Sequence, residues 1–280
     1  MKKRVKTKLI VLLLSSLLLI TLTPSIFITV EAIKNGQPDG DDHPYVCIIV
    51  FDIYVPDVGN VPAWRGSGVA ISPTVILTAG HATDGAVAAR VWFDESIEGN
   101  PDYPDGGLSA IEGTPYTHPG YYSSSDRGLA GLNWQDVGVV VLDTPISLPE
   151  YAELPNPGIV DTLGPGTIVD QVGYGVKEQV HGGGQPYWTG ERSRYYAPAE
   201  IIPSNDILTD DFIKTTANPG KGKGGTCFGD SGGPVLLEGT DIILGLTSWG
   251  RNNNCAGISY AARVDTEIVL QWIIEEEYLD

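Results

Sequence analysis

The segment Gly229-Asp230-Ser231-Gly232-Gly233-Pro234 sets a serine among three glycines. Glycines in that arrangement permit a tight backbone that presents a hydroxyl and leaves N–H groups free. Serine is a weak nucleophile by itself; it needs a neutral imidazole to take its proton and a carboxylate to fix that imidazole's tautomer and orientation. His81 closes Leu77-Thr78-Ala79-Gly80-His81, directly after a predicted strand, where a loop can display it. Asp136 heads the apolar run at 137–142, and an acid at a strand end can be buried facing an imidazole. Singly, each residue has an ordinary explanation: a turn serine, a surface or satisfied core histidine, a turn aspartate. Jointly they are the three groups that acyl transfer requires.

The order of these groups along the chain discriminates between folds. Gly229-x-Ser231-x-Gly233 also fits the strand-to-helix nucleophile elbow, which demands a histidine after the serine. The four histidines are His43, His81, His118 and His181, so none follows Ser231. Pro234 and an apolar strand stand where the elbow's helix would begin. The elbow is excluded, and the order is His, Asp, Ser.

The elements that must position these residues read as short strands. Apolar runs recur at 45–51, 67–72, 74–79, 87–93, 137–142, 167–172, 234–237, 242–249 and 258–264, rich in Val and Ile and bounded by Gly, Pro, Asn or Asp. One helix is predicted, at 265–280: Asp265 or Thr266 can cap it, and Ile268, Val269, Trp272 and Ile273 fall on one face. Polar loops separate the strands at 94–107, 120–131, 181–190 and 218–225. A Pro-rich stretch at 148–165 divides them into two halves, 33–150 and 151–264, each of a size for one compact β-barrel.

Composition supports the same class. With 280 residues, 35 glycines and 20 prolines, the chain suits many short strands joined by tight turns better than a helical bundle. A net charge of -18 leaves no basic footprint for a phosphate backbone, and nucleic-acid binding is excluded as an expectation. Residues 1–32 stand apart. Met1 to Lys8 carries five cations, residues 9–22 are apolar but for Ser15, Ser16 and Thr21, and Val30-Glu31-Ala32 offers a small-residue cut site. This is the pattern of a secretory signal peptide, predicting an extracellular protein cut after Ala32. A retained membrane anchor is the alternative reading of the apolar run, and a cut near residues 23–25 that leaves a short pro-segment is another.

The three cysteines, Cys47, Cys227 and Cys255, allow one disulfide and leave one thiol over. Without histidines at ligand spacing they make a poor zinc set, and neither metal nor cofactor is expected. The cluster Asp94, Glu95, Glu98, Asp102 and Asp105 has the hard oxygens calcium takes, but reads more simply as a solvated acidic loop.

Four blocks in this order, 77–81, 136–142, 229–234 and 248–250, resemble the chymotrypsin and trypsin family of serine peptidases, and the resemblance runs from Ile33 to the final helix. It implies an all-β protein of two six-stranded antiparallel β-barrels with a C-terminal helix, the site lying in the cleft between the barrels. It further implies that Ser231 attacks the scissile carbonyl, His81 moves the proton, Asp136 holds the imidazole, and the N–H groups of Gly229 and Ser231 form the oxyanion hole. Ser248, Trp249 and Gly250 would line the substrate strand. Cys227 and Cys255 match a family disulfide, which leaves Cys47 as a buried thiol. The chain departs from the family beside the histidine, where Ala82 follows His81 and no cysteine lies near 65–67.

By the same resemblance, the residue six before the nucleophile, Gly225, floors the specificity pocket and carries no charge. With Thr226 beside it and Gly250 leaving the wall open, an apolar or aromatic side chain is expected before the cut, and Arg or Lys is disfavoured. Ile33-Lys34-Asn35-Gly36 looks like the family's activated N-terminus, whose new ammonium pairs with the aspartate before the nucleophile, here Asp230. The expectation is a secreted, monomeric serine endopeptidase acting on proteins or peptides. The alternatives are a noncatalytic binding module on the same fold, and an esterase or acyl-transfer enzyme with the same three residues.

Overall fold

A computed structural model of the chain describes residues 33, 35–123, 133–176, 178–180, 187–189, 192–203, 210–217, 223–250, 255 and 257–275. The predicted signal peptide at 1–32 and most of the loop at 181–190 lie outside the described residues. In chain order the strands are β1 (Gln37–Pro38), β2 (Val46–Val55), β3 (Gly59–Ala70), β4 (Val75–Thr78), β5 (Ala88–Trp92), β6 (Ile111–Thr117), β7 (Tyr122–Ser123), β8 (Asn133–Trp134), β9 (Gly138–Leu142), β10 (Ile168–Gly173), β11 (Glu178–Val180), β12 (Tyr187–Thr189), β13 (Tyr195–Glu200), β14 (Phe212–Ala217), β15 (Pro234–Leu237), β16 (Ile243–Gly250) and β17 (Gly257–Arg263).

Six of these strands close a first barrel in the order β2-β3-β4-β9-β6-β5. Their sequences are dense in Val, Ile and Leu because much of both faces is covered. All four residues of β4 are buried, as are the first seven of β2. The second sheet runs β1-β13-β10-β15-β16-β17-β14, all pairs antiparallel. Its two ends meet at a single bridge between Ile201 and Thr215, reinforced by Ile202 N–H donating to the Lys214 carbonyl at 2.9 Å. The first barrel is closed by full ladders; the second is a curved sheet whose seam is one bridge wide. β1 belongs to the second sheet by pairing with β13, although its sequence position lies in the first half.

The C-terminal helix, Glu267–Glu275, buries Val269, Leu270, Trp272 and Ile273. Ile268, assigned to that face from spacing, is instead 54% exposed. Neither expected cap acts as one. Asp265 accepts from the Arg263 guanidinium and, at 2.8 Å, from Val160 N–H, while the Thr266 hydroxyl is buried without a partner. Trp272 meets His118 edge to face at 4.9 Å, so the end of the chain packs back on the segment after β6.

Candidate active site

His81 lies in a single helical turn, Gly80–Thr83, that follows β4 with one residue between. That turn is held by Trp64, whose indole N–H donates to the Ala82 carbonyl at 2.8 Å. Asp136 is fully buried just before β9, the strand that pairs with β4, so register alone brings it beside His81. Its carboxylate is met on three sides. His81 Nδ1 lies 2.8 Å from Oδ2, His81 backbone N–H donates to Oδ1 at 2.6 Å, and the Ser248 hydroxyl donates to Oδ2. Burial raises the Asp136 pKa, but the imidazole's charge and these hydrogen bonds outweigh it and hold the carboxyl below its ordinary value. For His81 burial acts downward, and the Asp136 carboxylate reverses it, leaving the imidazole above its ordinary 6.5. The acid is therefore ionised and the ring oriented, with His81 still 26% exposed toward the cleft.

Ser248 was expected only as part of the substrate strand. It sits at a register shift in β16, between Thr247 and Trp249, and there its side chain reaches Asp136 rather than a ladder partner.

Ser231 comes from the second half of the chain, in the loop before β15. Gly229 and Gly232 have φ of 98° and 81°, the left-handed region that favours glycine. A side chain at 232 would also strike the Thr78 hydroxyl at 2.2 Å. The loop is stitched to the first barrel by Ser67, whose N–H donates to the Ser231 carbonyl at 2.8 Å and whose hydroxyl donates to the Gly229 carbonyl at 2.9 Å. Sequence reading did not single out Ser67; its only mark is a position between two glycines, Gly66 and Gly68, on a strand.

His81 and Ser231 both line a cleft of 290 Å³ that ends on Thr226, Ile258 and Ser259. Trp249 and Gly250 also line this cleft. Trp249 is stacked on Tyr260 at 3.9 Å with the planes 5° apart. Thr226 donates to the Ser259 hydroxyl at 3.2 Å, so the deep end is polar and uncharged. Gly225 is buried and is not among the residues that line the cleft, whereas Thr226 is. The Cys227–Cys255 disulfide is present and borders the cleft, and Cys47 is a free, buried thiol whose pKa burial pushes up.

Ile33 and Asp230 are both fully buried. Ile33 packs with Tyr195 and Ala197, and its carbonyl accepts from Gly36 N–H at 2.7 Å. The Asp230 carboxylate accepts from Gly175 and Cys227 N–H, each at 2.7 Å, and is not paired with Ile33. Burial dominates, pushing the Asp230 pKa up to about 7 against the pull of those two N–H groups and of Arg65.

Among the described residues no three His, Cys, Asp or Glu side chains are arranged to hold a metal ion. In the acidic loop, Glu98 pairs with Arg192 and Asp102 accepts from Ser109 N–H. No described helix is long and apolar enough to cross a membrane.

A closed six-stranded barrel beside a curved antiparallel sheet, with a histidine–carboxylate pair that shares its cleft with a glycine-flanked serine, is the arrangement of the trypsin-like serine proteases. A sequence model of the family described as Trypsin matches residues 59–273, and the chain belongs to that family. Among curated relatives it is similar to brachyurin of Leptuca pugilator, 29% identical over 245 residues covering 87% of this chain and 95% of the relative. It is also similar to serine protease 1 of Drosophila melanogaster, 27% identical with 86% and 84% covered. Among solved structures, HL collagenase superposes with a TM-score of 0.63 at 19% identity, over 91% of this chain and all of that one, a likeness of fold.

Proposed function

We propose that the protein is a secreted serine endopeptidase that cleaves proteins or peptides after apolar or aromatic residues. The observation that carries this reading is the threefold-bonded, buried Asp136 holding the His81 ring in a cleft that His81 shares with Ser231. With Nδ1 committed to Asp136, Nε2 is the ring nitrogen available to Ser231. The Ser231 hydroxyl adds to the scissile carbonyl while His81 Nε2 takes its proton. The Gly229 and Ser231 N–H groups receive the oxyanion, an interaction worth about 3–4 kcal/mol per donor in comparable sites. His81 then protonates the departing amine, and water, deprotonated by the same ring, releases the acyl group.

The uncharged Thr226–Ser259 end of the cleft supports an apolar residue before the cut, because a desolvated cation there would have no partner. The burial of both Ile33 and Asp230 supports activation by a cut before Ile33: a new ammonium that reached Asp230 would neutralise a carboxylate that burial disfavours. Signal-peptide removal after Ala32 would make that cut, and export would then switch the enzyme on.

The test is to expose the purified chain beginning at Ile33, and its Ser231→Ala variant, to a diverse peptide library and read the cut sites. Cleavage after Phe, Tyr, Leu or Met that vanishes in the variant is expected. Equal cleavage by the two, or none by either, would overturn the reading.

A further inference from the structure

The cleft continues past the reacting groups. A second hollow of 480 Å³ shares His81, Phe228 and Ser231 with the first and is otherwise walled by Trp64, Arg65, Ala82, Asp84, Val176 and Gly229. A peptide crossing Ser231 with its acyl half against Trp249 and Thr226 must send its leaving half along this hollow. Most of the wall is apolar or backbone, with Phe228 53% exposed. Asp84, exposed at the rim, is the one acidic residue of the lining.

Arg65 is the exception in that wall. It lies on β3, and its Nε would come within 3.6 Å of a side chain at Gly229. Its Nη1 is buried and has no hydrogen-bond partner. Arg90, Arg192, Arg194, Lys223 and Arg263 each have a carboxylate within 4 Å, at Asp52, Glu98, Asp39, Glu200 and Asp265 respectively; among the described Lys and Arg residues only Arg65 and Lys214 have none, and of these two Arg65 lines the hollow. The Asp230 carboxylate feels its charge but spends its oxygens on Gly175 and Cys227 N–H. The half-buried Arg65 side chain therefore lines the hollow without a carboxylate of its own, and a carboxylate is the group that pairs best with a guanidinium, by a charge-assisted hydrogen bond.

We infer that Arg65 is a specificity-determining residue that receives an acidic side chain, Asp or Glu, from the first or second residue after the cut. This rests on the endopeptidase reading. It also runs against the bulk electrostatics, since a chain of net charge -18 repels acidic peptides and any preference for them must come from a local cation.

The test uses paired peptides that are identical, with Phe before the cut, except for Asp against Asn, or Glu against Gln, at the first or second position after it. For one of the positions kcat/KM for the acid should exceed that for its amide by about tenfold, the lower end for a hydrogen bond to a charged group. The ratio should fall to about one in Arg65→Gln, invert in Arg65→Glu and persist in part in Arg65→Lys. In the wild-type enzyme, tested whether or not those variants fold, it should shrink as salt is added. A wild-type ratio near one at both positions, or a ratio unchanged in Arg65→Gln, overturns the assignment while leaving the peptidase reading intact. Failure to cleave either member of any pair overturns that reading, and this one with it.

Discussion

The Ser67 hydroxyl donates to the Gly229 carbonyl at 2.9 Å, a bond that joins the first barrel to the loop carrying Ser231. The same oxygen accepts from Tyr174 N–H at 3.0 Å, so one buried hydroxyl holds two backbone segments of the second half. The peptide it grips lies between the two N–H groups proposed to receive the oxyanion. Ser67→Ala should therefore cost about 1–3 kcal/mol of stability, the usual penalty for leaving buried polar partners unmet. It should also lower kcat more than it changes KM. Denaturant unfolding and steady-state kinetics on one peptide check both, and an unchanged kcat would show that the bond serves folding alone.

His81→Ala and Ser231→Ala should each lower kcat by at least about a thousandfold, and the double variant should be scarcely slower than either, because groups that act as a unit are not additive. Circular dichroism should show the fold retained, since neither side chain is in the buried core. A single variant keeping a tenth of the wild-type rate would be incompatible with the proposed roles.

The pH profile follows from the pair Asp136 and His81. His81 acts as a base only when neutral, and Asp136 lifts its pKa above 6.5, so the acid limb of kcat/KM should lie above 6.5. Asp136→Asn should drop kcat by about ten-thousandfold and move the residual activity's acid limb downward. Ser248→Ala, removing one of the three donors to Asp136, should raise the Asp136 pKa and lower kcat by a much smaller factor. Rate measurements across pH 5 to 9 separate the three enzymes.

Asp230 should titrate differently before and after a cut at Ile33. In the uncut chain its folded-state value, about 7, lies above the ordinary 3.8. Its contribution to stability is therefore complete below 3.8 and is lost as pH rises through about 7. Uncut Ser231→Ala protein should lose thermal stability across that window, and adding Asp230→Asn should flatten the loss. After the cut, the Ile33 ammonium should pull the Asp230 value down and abolish the window. Activity of the cut enzyme should then fall as alkali removes a proton with a pKa above the ordinary value of about 7.7–8 for an α-amino group. Thermal melts of both forms against pH are the measurement; identical profiles would remove Ile33 from the mechanism.

The Thr226–Ser259 end of the cleft predicts a preference for Phe, Tyr, Leu or Met over Arg and Lys. Thr226→Asp should shift that preference toward Arg and Lys by placing a carboxylate where a cation would otherwise be unpaired. Competition between two peptides differing only in the residue before the cut reads the shift. A wild-type preference for Arg would mean that a carboxylate reaches the cleft from elsewhere.

The sequence by itself determined the class of fold, because dense Val and Ile runs bounded by Gly and Pro are legible wherever a strand is buried on both faces, as β2, β4 and β9 are. It also singled out His81, Asp136 and Ser231, the residues proposed above to carry the chemistry, through their order along the chain. It missed β6, β13 and β14, where Gly113, Pro115, Pro198 and Lys214 interrupt the apolar pattern and strand pairing overrides local propensity. What only the tertiary structure decided was which polar side chains meet across long separations. Ser248 reaches Asp136 because a register shift in β16 frees it, Ser67 holds Gly229 because the first barrel abuts the second sheet, and Thr226 rather than Gly225 lines the cleft. Periodicity records which face of a strand is apolar, but hydrogen bonds between residues 112 or 162 positions apart depend on packing angles that no local pattern encodes.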